Sequence, residues 1–334
     1  MPNACIPQSD HPLSTFFVTL VAVCLTAAPL AAAAQSPAKV YRIGILSELR
    51  VEDTQQSWLN ALRQRGYIEG QNSVFEFRGA AERHELLPKL AAELVQLKVD
   101  IILTASTPPA VAAKQATTTI PILTMSADPI GAGLVTSLAR PGGNVTGVFI
   151  PLVDLAQKRL QLLKEAVPKL TSVAVLWNPN NQPAHLQAKA TEAAAHSLQI
   201  TTFEVELPSQ SDLENAFRVI AARRPHGLIV MQDPVMYKAG EKLAEFAIRN
   251  RFPASHTYRK FADAGGLMSY GVSLTGLFEA VAGYADKILK GAKPEDLPME
   301  QPTRFEFVIN LKTAKALGIT IPQSVLIRAD EVIR

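Results

Sequence analysis

Short runs of apolar, often β-branched residues alternate along this chain with longer stretches in which apolar positions recur every three to four residues. The short runs predict strands over residues 40–46, 74–77, 100–103, 121–124 and 144–149. Helical spacing predicts helices over 54–65, 82–97, 109–116 and 130–139. The pattern restarts beyond Pro151. Helices are predicted over 155–166, 184–198, 213–223 and 239–249, with strands at 172–176, 201–205, 227–231, 253–256 and 266–268. A tail follows, helical over 277–289, extended over 304–309 and helical over 311–317. It is too short for a core of its own and is expected to return across both units.

Strands alternating with helices predict parallel sheets covered on both faces, the α/β class. A chain of 334 residues, 48% of them hydrophobic, exceeds what one core usually organises. Two doubly wound lobes are therefore expected, meeting near Pro151, with a multi-stranded hinge between them.

The first forty residues have a different pattern. Residues 16–34 are a short apolar run that ends in four alanines, Ala31 to Ala34. This predicts a signal peptide over residues 1–34, cut near Ala34, and hence a periplasmic protein. Asp10 is the only formal charge there, so the basic start of an ordinary leader is missing. A membrane anchor is the competing reading, but Thr19, Thr26 and Pro29 interrupt the run. A lipoprotein through Cys24 would need a small residue where Val23 stands. Both cysteines, Cys5 and Cys24, lie in this segment. Its removal leaves no thiol, which excludes disulfides, cysteine-held zinc and a cysteine nucleophile. The formal charge of +3 argues neither for nor against nucleic acid, and no nucleic-acid partner is expected.

In open parallel sheets, ligands sit beyond the carboxyl ends of strands. The residues that follow each predicted strand are therefore the candidates. They are Ser47 and Glu48, then Ser106 and Thr107, then Ser126 and Asp128, and from the second unit Asn178 and Asp233. Ser106-Thr107-Pro108-Pro109 has the composition of a helix start, where free N–H groups would attract a carboxylate. Asp233 could pair with an ammonium group. The alternative for each is a helix cap and nothing more. Trp177, Phe149, Tyr258 and Tyr270 could stack on a ligand or simply fill the core. Catalytic patterns are poor. The histidines (11, 84, 185, 196, 226 and 256) have no metal-ligand spacing, and Gly131-Ala132-Gly133 lacks the last glycine of a dinucleotide fingerprint. No nucleophile elbow, phosphate loop or HExxH pair occurs. No cofactor and no metal are expected.

Several longer runs carry a resemblance. Residues 122–129 (ILTMSADP), 137–147 (SLARPGGNVTG), 175–180 (VLWNPN), 265–271 (GGLMSYG), 285–294 (ADKILKGAKP) and 301–318 resemble the solute-binding proteins of ABC transporters of the tryptophan/tyrosine-uptake type. The resemblance covers residues 40–334. It implies a type I periplasmic-binding-protein fold, with lobes at 40–150 plus 268–300 and 151–267 plus 301–334 joined by a three-strand hinge. It also implies a small carboxylate-bearing solute, such as an amino acid, held in the cleft by hinge closure. Ser106, Thr107 and Ser126 would meet the carboxylate, and Asn178 and Asp233 would close from the other lobe. The implied partners are an ABC permease and its ATPase. A sensor docking on a membrane kinase, or a hydrolase on the same scaffold, is the alternative.

Overall fold

The computed structural model describes residues 1–4 and 39–334. The expected signal peptide and its cleavage site lie outside the described residues, apart from residues 1–4. Val40–Arg334 fold as one compact unit, built on two sheets. Among the described residues no helix is long and apolar enough to cross a membrane.

The first sheet joins β1 (Tyr41–Ser47), β2 (Ser73–Gly79), β3 (Ile101–Thr104), β4 (Ile122–Ser126) and β5 (Val145–Phe149), all parallel, in the order β2-β1-β3-β4-β5. Helices α1 (Val51–Gln64), α2 (Leu87–Gln96) and α3 (Thr107–Ala116) connect them. Side chains alternate across the sheet. Ile43, Ile45, Ile101 and Leu103 pack with Trp58 and Leu62 of α1 on one face, while Leu46 and Ile102 pack with Leu94 of α2 and Ala110 of α3 on the other. Burying each such Leu or Ile contributes about 1.5–3 kcal/mol.

The second sheet repeats the plan. Strands β6 (Ser172–Trp177), β7 (Thr201–Glu206), β8 (Gly227–Val230), β9 (Ala254–His256) and β10 (Met268–Val272) run parallel in the order β7-β6-β8-β9-β10. That is the strand order of the first sheet. Two more strands extend it, β11 (Phe305–Asn310) antiparallel to β10 and β12 (Glu331–Ile333) parallel to β11. The covering helices are α4 (Leu152–Ala166), α5 (Gln182–Ser197), α6 (Leu213–Arg223), α7 (Pro234–Arg249) and the short α8 (Arg259–Asp263). Next, α9 (Leu274–Leu289) returns to the first lobe, where Phe278 meets Trp58 edge-on at 4.7 Å. The tail helices are α10 (Leu311–Leu317) and α11 (Gln323–Leu326).

The chain passes between the sheets three times, at residues 150–151, at Ser273 and at residues 301–304. Ser273 N–H donates to the carbonyl of Arg304 at 3.4 Å, so two crossings lie side by side. Glu300 is still held by the first lobe, because its carbonyl accepts from Phe149 N–H at 2.9 Å. Residues 268–272, expected with the first lobe, instead belong to the second sheet, as β10 between β9 and β11. The helix expected over 130–139 is absent. Pro129, Gly131 and Gly133, the last at φ +66°, turn the chain there, and the N–H groups of Leu134 and Val135 both return to the Pro129 carbonyl.

Candidate ligand-binding site

Strand order locates the site. In a 2-1-3-4-5 sheet, neighbouring connections leave in opposite directions from strands 1 and 3, and a crevice opens between them. In the first lobe that point lies between Glu48, after β1, and Ser106, after β3. In the second it lies between Asn178, after β6, and Asp233, after β8. Both pairs are in contact. Ser106 Oγ donates to Glu48 Oε1 at 2.5 Å, and Asn178 Nδ2 lies 3.2 Å from each Asp233 oxygen.

The two crevices face one another across a cavity of about 50 Å³. That is room for roughly four waters. From the first lobe it is lined by Ala105, Ser106, Thr107, Met125 and Ala127, and from the first crossing by Ile150 and Leu152. The second lobe supplies Asn181, Pro183, Gln232, Asp233, Pro234 and Tyr258. Polar groups converge at one end and apolar surface occupies the rest.

Asp233 is the N-cap of α7 and is 1% exposed. Its carboxylate accepts from Val235 N–H at 2.7 Å and from Asn181 Nδ2 at 2.8 Å, besides Asn178. Burial, and then the charge of Glu48 across the cleft, push its pKa up to about 6. Beside it, two acceptors are buried without a partner among the described residues, Asn181 Oδ1 and Gln232 Oε1. Glu48 itself is 2% exposed. His84 Nε2 lies 2.8 Å from its Oε2, which is satisfied only when that nitrogen carries a proton. The hydrogen bond to Glu48 raises the His84 pKa, against the opposing effect of burial.

On the first lobe, Thr107 Oγ1 and Ser126 Oγ share a hydrogen bond of 2.9 Å. Ser106 occupies the N-cap of α3, but its side chain makes no cap bond, because it is turned to Glu48. The expected fan of free N–H groups is narrower than the sequence reading had it. Pro108 and Pro109 carry no N–H, so of the first three helical residues only Thr107 offers one.

Four of the sequence candidates, Ser106, Thr107, Asp233 and Tyr258, line the cavity, with Ser126 and Asn178 directly behind them. Ser47, Asp128 and Tyr270 do not line it. Ser47 Oγ accepts from Leu49 N–H at 3.1 Å within the turn after β1. Asp128 accepts from Gly131 N–H at 2.8 Å in a surface turn. Tyr270 lies on β10, against Phe305 and Phe307. Trp177 stacks on His185 with ring centres 5.0 Å apart and belongs to the second core. His84, Asn181 and Gln232 were not singled out from the sequence, and Glu48 was noted only as a residue that follows the first strand. The strand-end rule that found Asp233 applies equally to Glu48 and Gln232. Nothing in the sequence distinguishes His84, which lies in a one-turn 3-10 helix. Among the described residues no three His, Cys, Asp or Glu side chains gather as a metal site.

Direct contacts join the lobes at the rim of the cleft. Lys238 Nζ of α7 lies 2.8 Å from Asp53 Oδ2 of α1 and 3.8 Å from Glu82 Oε1, and Gln210 N–H donates to Glu82 Oε2 at 2.9 Å.

Residues 43–333 match the family model described as ABC transporter substrate binding protein. A tyrosine-binding protein of Clostridioides difficile (strain R20291) is 28% identical over 271 residues, which is 80% of this chain and 77% of that one. A Streptococcus pneumonia ABC domain solved in complex with L-Trp superposes with a TM-score of 0.78 at 27% identity, covering 88% of this chain and 100% of the other. A ligand-free, open structure of a Clostridium difficile substrate binding protein with adhesive properties superposes with a TM-score of 0.61 at 26% identity, covering 88% and 99%. This chain therefore belongs to the ABC transporter substrate binding protein family, and its fold is the two-lobed α/β architecture of periplasmic binding proteins.

Proposed function

We propose that the chain is the periplasmic receptor of an ABC importer and that it closes its two lobes over a small zwitterion of the amino-acid class. One observation carries the reading. Three buried acceptors, Asn181 Oδ1, Gln232 Oε1 and the Asp233 carboxylate, stand on one wall of an interlobe cavity whose other wall holds the hydroxyls of Ser106 and Thr107. An ammonium group brings three donors and one positive charge. Glu48 is held by the His84 imidazole, whose pKa it raises, whereas the Asp233 carboxylate is hydrogen-bonded by amides alone and has no ion-pair partner among the described residues, which leaves it for a cationic ligand group to match.

With the ammonium at Asp233, the α-carboxylate meets the Thr107 hydroxyl and N–H, and takes the Ser106 hydroxyl in exchange for Glu48. The apolar lining, including Met125, Ile150 and Leu152, takes the side chain. The ligands in the relatives' names, tyrosine and L-Trp, support an aromatic side chain here. The closer likeness to the L-Trp complex than to the ligand-free, open protein supports a closed arrangement of the lobes. Ligand shifts the chain toward that state only by its preference for it. Export by the leader and delivery to a permease with its ATPase complete the reading.

A thermal-shift and calorimetric screen of amino acids, sugars and small organic acids tests it. A true ligand at 100-fold over its Kd adds about 2.7 kcal/mol of stability. Stabilisation by an uncharged sugar, and by no zwitterion, overturns the proposal.

A further inference from the structure

Arg159 lies on the buried stripe of α4, between Leu155 and Leu163, and is 0% exposed. Its one hydrogen bond runs from Nη2 to Gln187 Oε1 at 3.2 Å. Nε and Nη1 are buried without a partner, and among the described residues no carboxylate lies within ion-pair distance. A guanidinium is almost never buried this deeply unless it is paired. Burial lowers its pKa to about 10, so it remains charged.

Its surroundings connect it to the cleft. Gln187 Nε2 donates to the carbonyls of Pro183 and Gln232, at 3.3 and 2.9 Å, and both of those residues line the cavity. Arg159 therefore sits one residue behind the cavity wall. Tyr258 lines the same cavity, and its hydroxyl feels both Asp233 and Arg159. A second unpartnered group lies on the same side of the sheet. Ser255 pairs in register with Met268, which packs in the core that α4 covers, and Ser255 Oγ is buried with no partner. Arg159 is fully buried behind Gln187 and the cavity wall, so a solute reaches it only if side chains between them move. Side-chain rearrangement of this kind is common on binding.

We propose that the cleft continues past Tyr258 into an inner subsite whose floor is Arg159, and that the guanidinium there takes an oxygen acceptor of the solute. This deepens the reading of the chain as a receptor for zwitterions and rests on it. Asp233 supplies the unmatched negative charge of the cleft and Arg159 the unmatched positive one. The acceptor is a carboxylate or side-chain oxygen. Either can accept from Nε or Nη1, the two donor nitrogens without a partner.

The test uses the full processed chain and Arg159→Met, which keeps the volume and removes the charge, with Arg159→Lys as the second variant. Calorimetry is run with L-tyrosine, tyramine and L-phenylalanine. The proposal expects Arg159→Met to weaken at least one of these at least ten-fold. A loss for L-tyrosine and L-phenylalanine but not tyramine assigns the α-carboxylate to Arg159. A loss for L-tyrosine and tyramine but not L-phenylalanine assigns the phenol oxygen. Arg159→Lys retains the charge and is expected to recover part of the affinity. Equal affinities in wild type and both variants overturn the proposal. A stability measurement decides it even if wild type binds none of the three, an outcome that counts against the aromatic ligand and not against the subsite. Removing an unpaired buried charge leaves the ligand-free protein as stable or more stable, so its Tm is unchanged or raised. A lowered Tm, or failure of both variants to fold, makes Arg159 a structural residue and overturns the inference.

Discussion

Replacing Asp233 with Asn tests the electrostatics of the cleft, since the two side chains share a shape and differ in charge. Burial and the facing Glu48 move the Asp233 pKa from 3.8 to about 6. At 1.36 kcal/mol per unit, the charged form costs the folded chain roughly 3 kcal/mol relative to a hydrated unfolded one. This is an acid whose pKa rises on folding, opposite to the usual ion-paired carboxylate. Below the ordinary value both states hold the proton and there is no penalty. As pH rises through the window up to about 6, the unfolded chain gives up its proton first and stability falls. Above that value the penalty is complete and constant. Asp233→Asn has a cost of its own, because its amide nitrogen faces the donors of Asn178 and Asn181. That cost is on the order of 1–3 kcal/mol and does not depend on pH. Urea unfolding at pH 4 and pH 7.5, followed by tryptophan fluorescence, separates the two effects. Relative to wild type, the variant is expected to gain about 2–3 kcal/mol between those pH values, whatever its starting deficit. A difference that stays constant with pH refutes the claim that this carboxylate is held in its charged form at a cost. In the same variant, amino-acid affinity at pH 7.5 is expected to drop by about 100-fold, the loss of one buried charge-assisted contact.

Ser106→Ala combined with Thr107→Val is expected to weaken amino-acid binding by about ten-fold in calorimetry while leaving Tm within a few degrees, because neither hydroxyl supports the fold of α3. Lys238→Ala removes a partly exposed rim contact, so affinity should fall by no more than about five-fold, and by less in high salt. Scattering profiles of the ligand-free variant should shift toward the open form. The His84 imidazole should titrate above 6.5 by NMR, and Glu48→Gln should bring it back toward that value. Gly147→Ala should cost more than about 4 kcal/mol or prevent folding, since the residue sits at φ +140° and a Cβ there would lie 2.1 Å from the Thr124 carbonyl oxygen.

The repeated strand order explains how much of the site could be read from sequence. Short strands of apolar residues, separated by amphipathic helices, are legible because burial on both faces leaves a continuous apolar run. From the strand ends alone, Ser106, Thr107 and Asp233 follow, since a doubly wound sheet has one place where loops diverge. Which side chain at each end turns into the crevice is not legible, because tertiary neighbours decide it. Ser106 reads as a helix cap, yet Glu48 from another strand takes its hydroxyl. Asp128 reads as a strand-end site residue or the cap of the next helix, yet that helix is missing after Pro129 and Asp128 holds a surface turn.

Arg159 is the instructive omission, because its signal was present. It lies four residues from both Leu155 and Leu163, on the apolar stripe of a helix whose other inward positions are Leu and Ala. A charge at such a position must be paired, exposed by a local distortion, or kept for a ligand. Among the described residues no carboxylate pairs with it, α4 is regular across it, and it has no exposed surface. Asp233 follows the same logic with the opposite sign. Each is buried on the second lobe, each is surrounded by uncharged partners, and Tyr258 feels both. Two unpaired opposite charges that do not neutralise one another are expensive for a folded chain to keep. A dipolar guest that reaches both would remove that cost only in the bound state, and so couples solute chemistry to closure of the lobes.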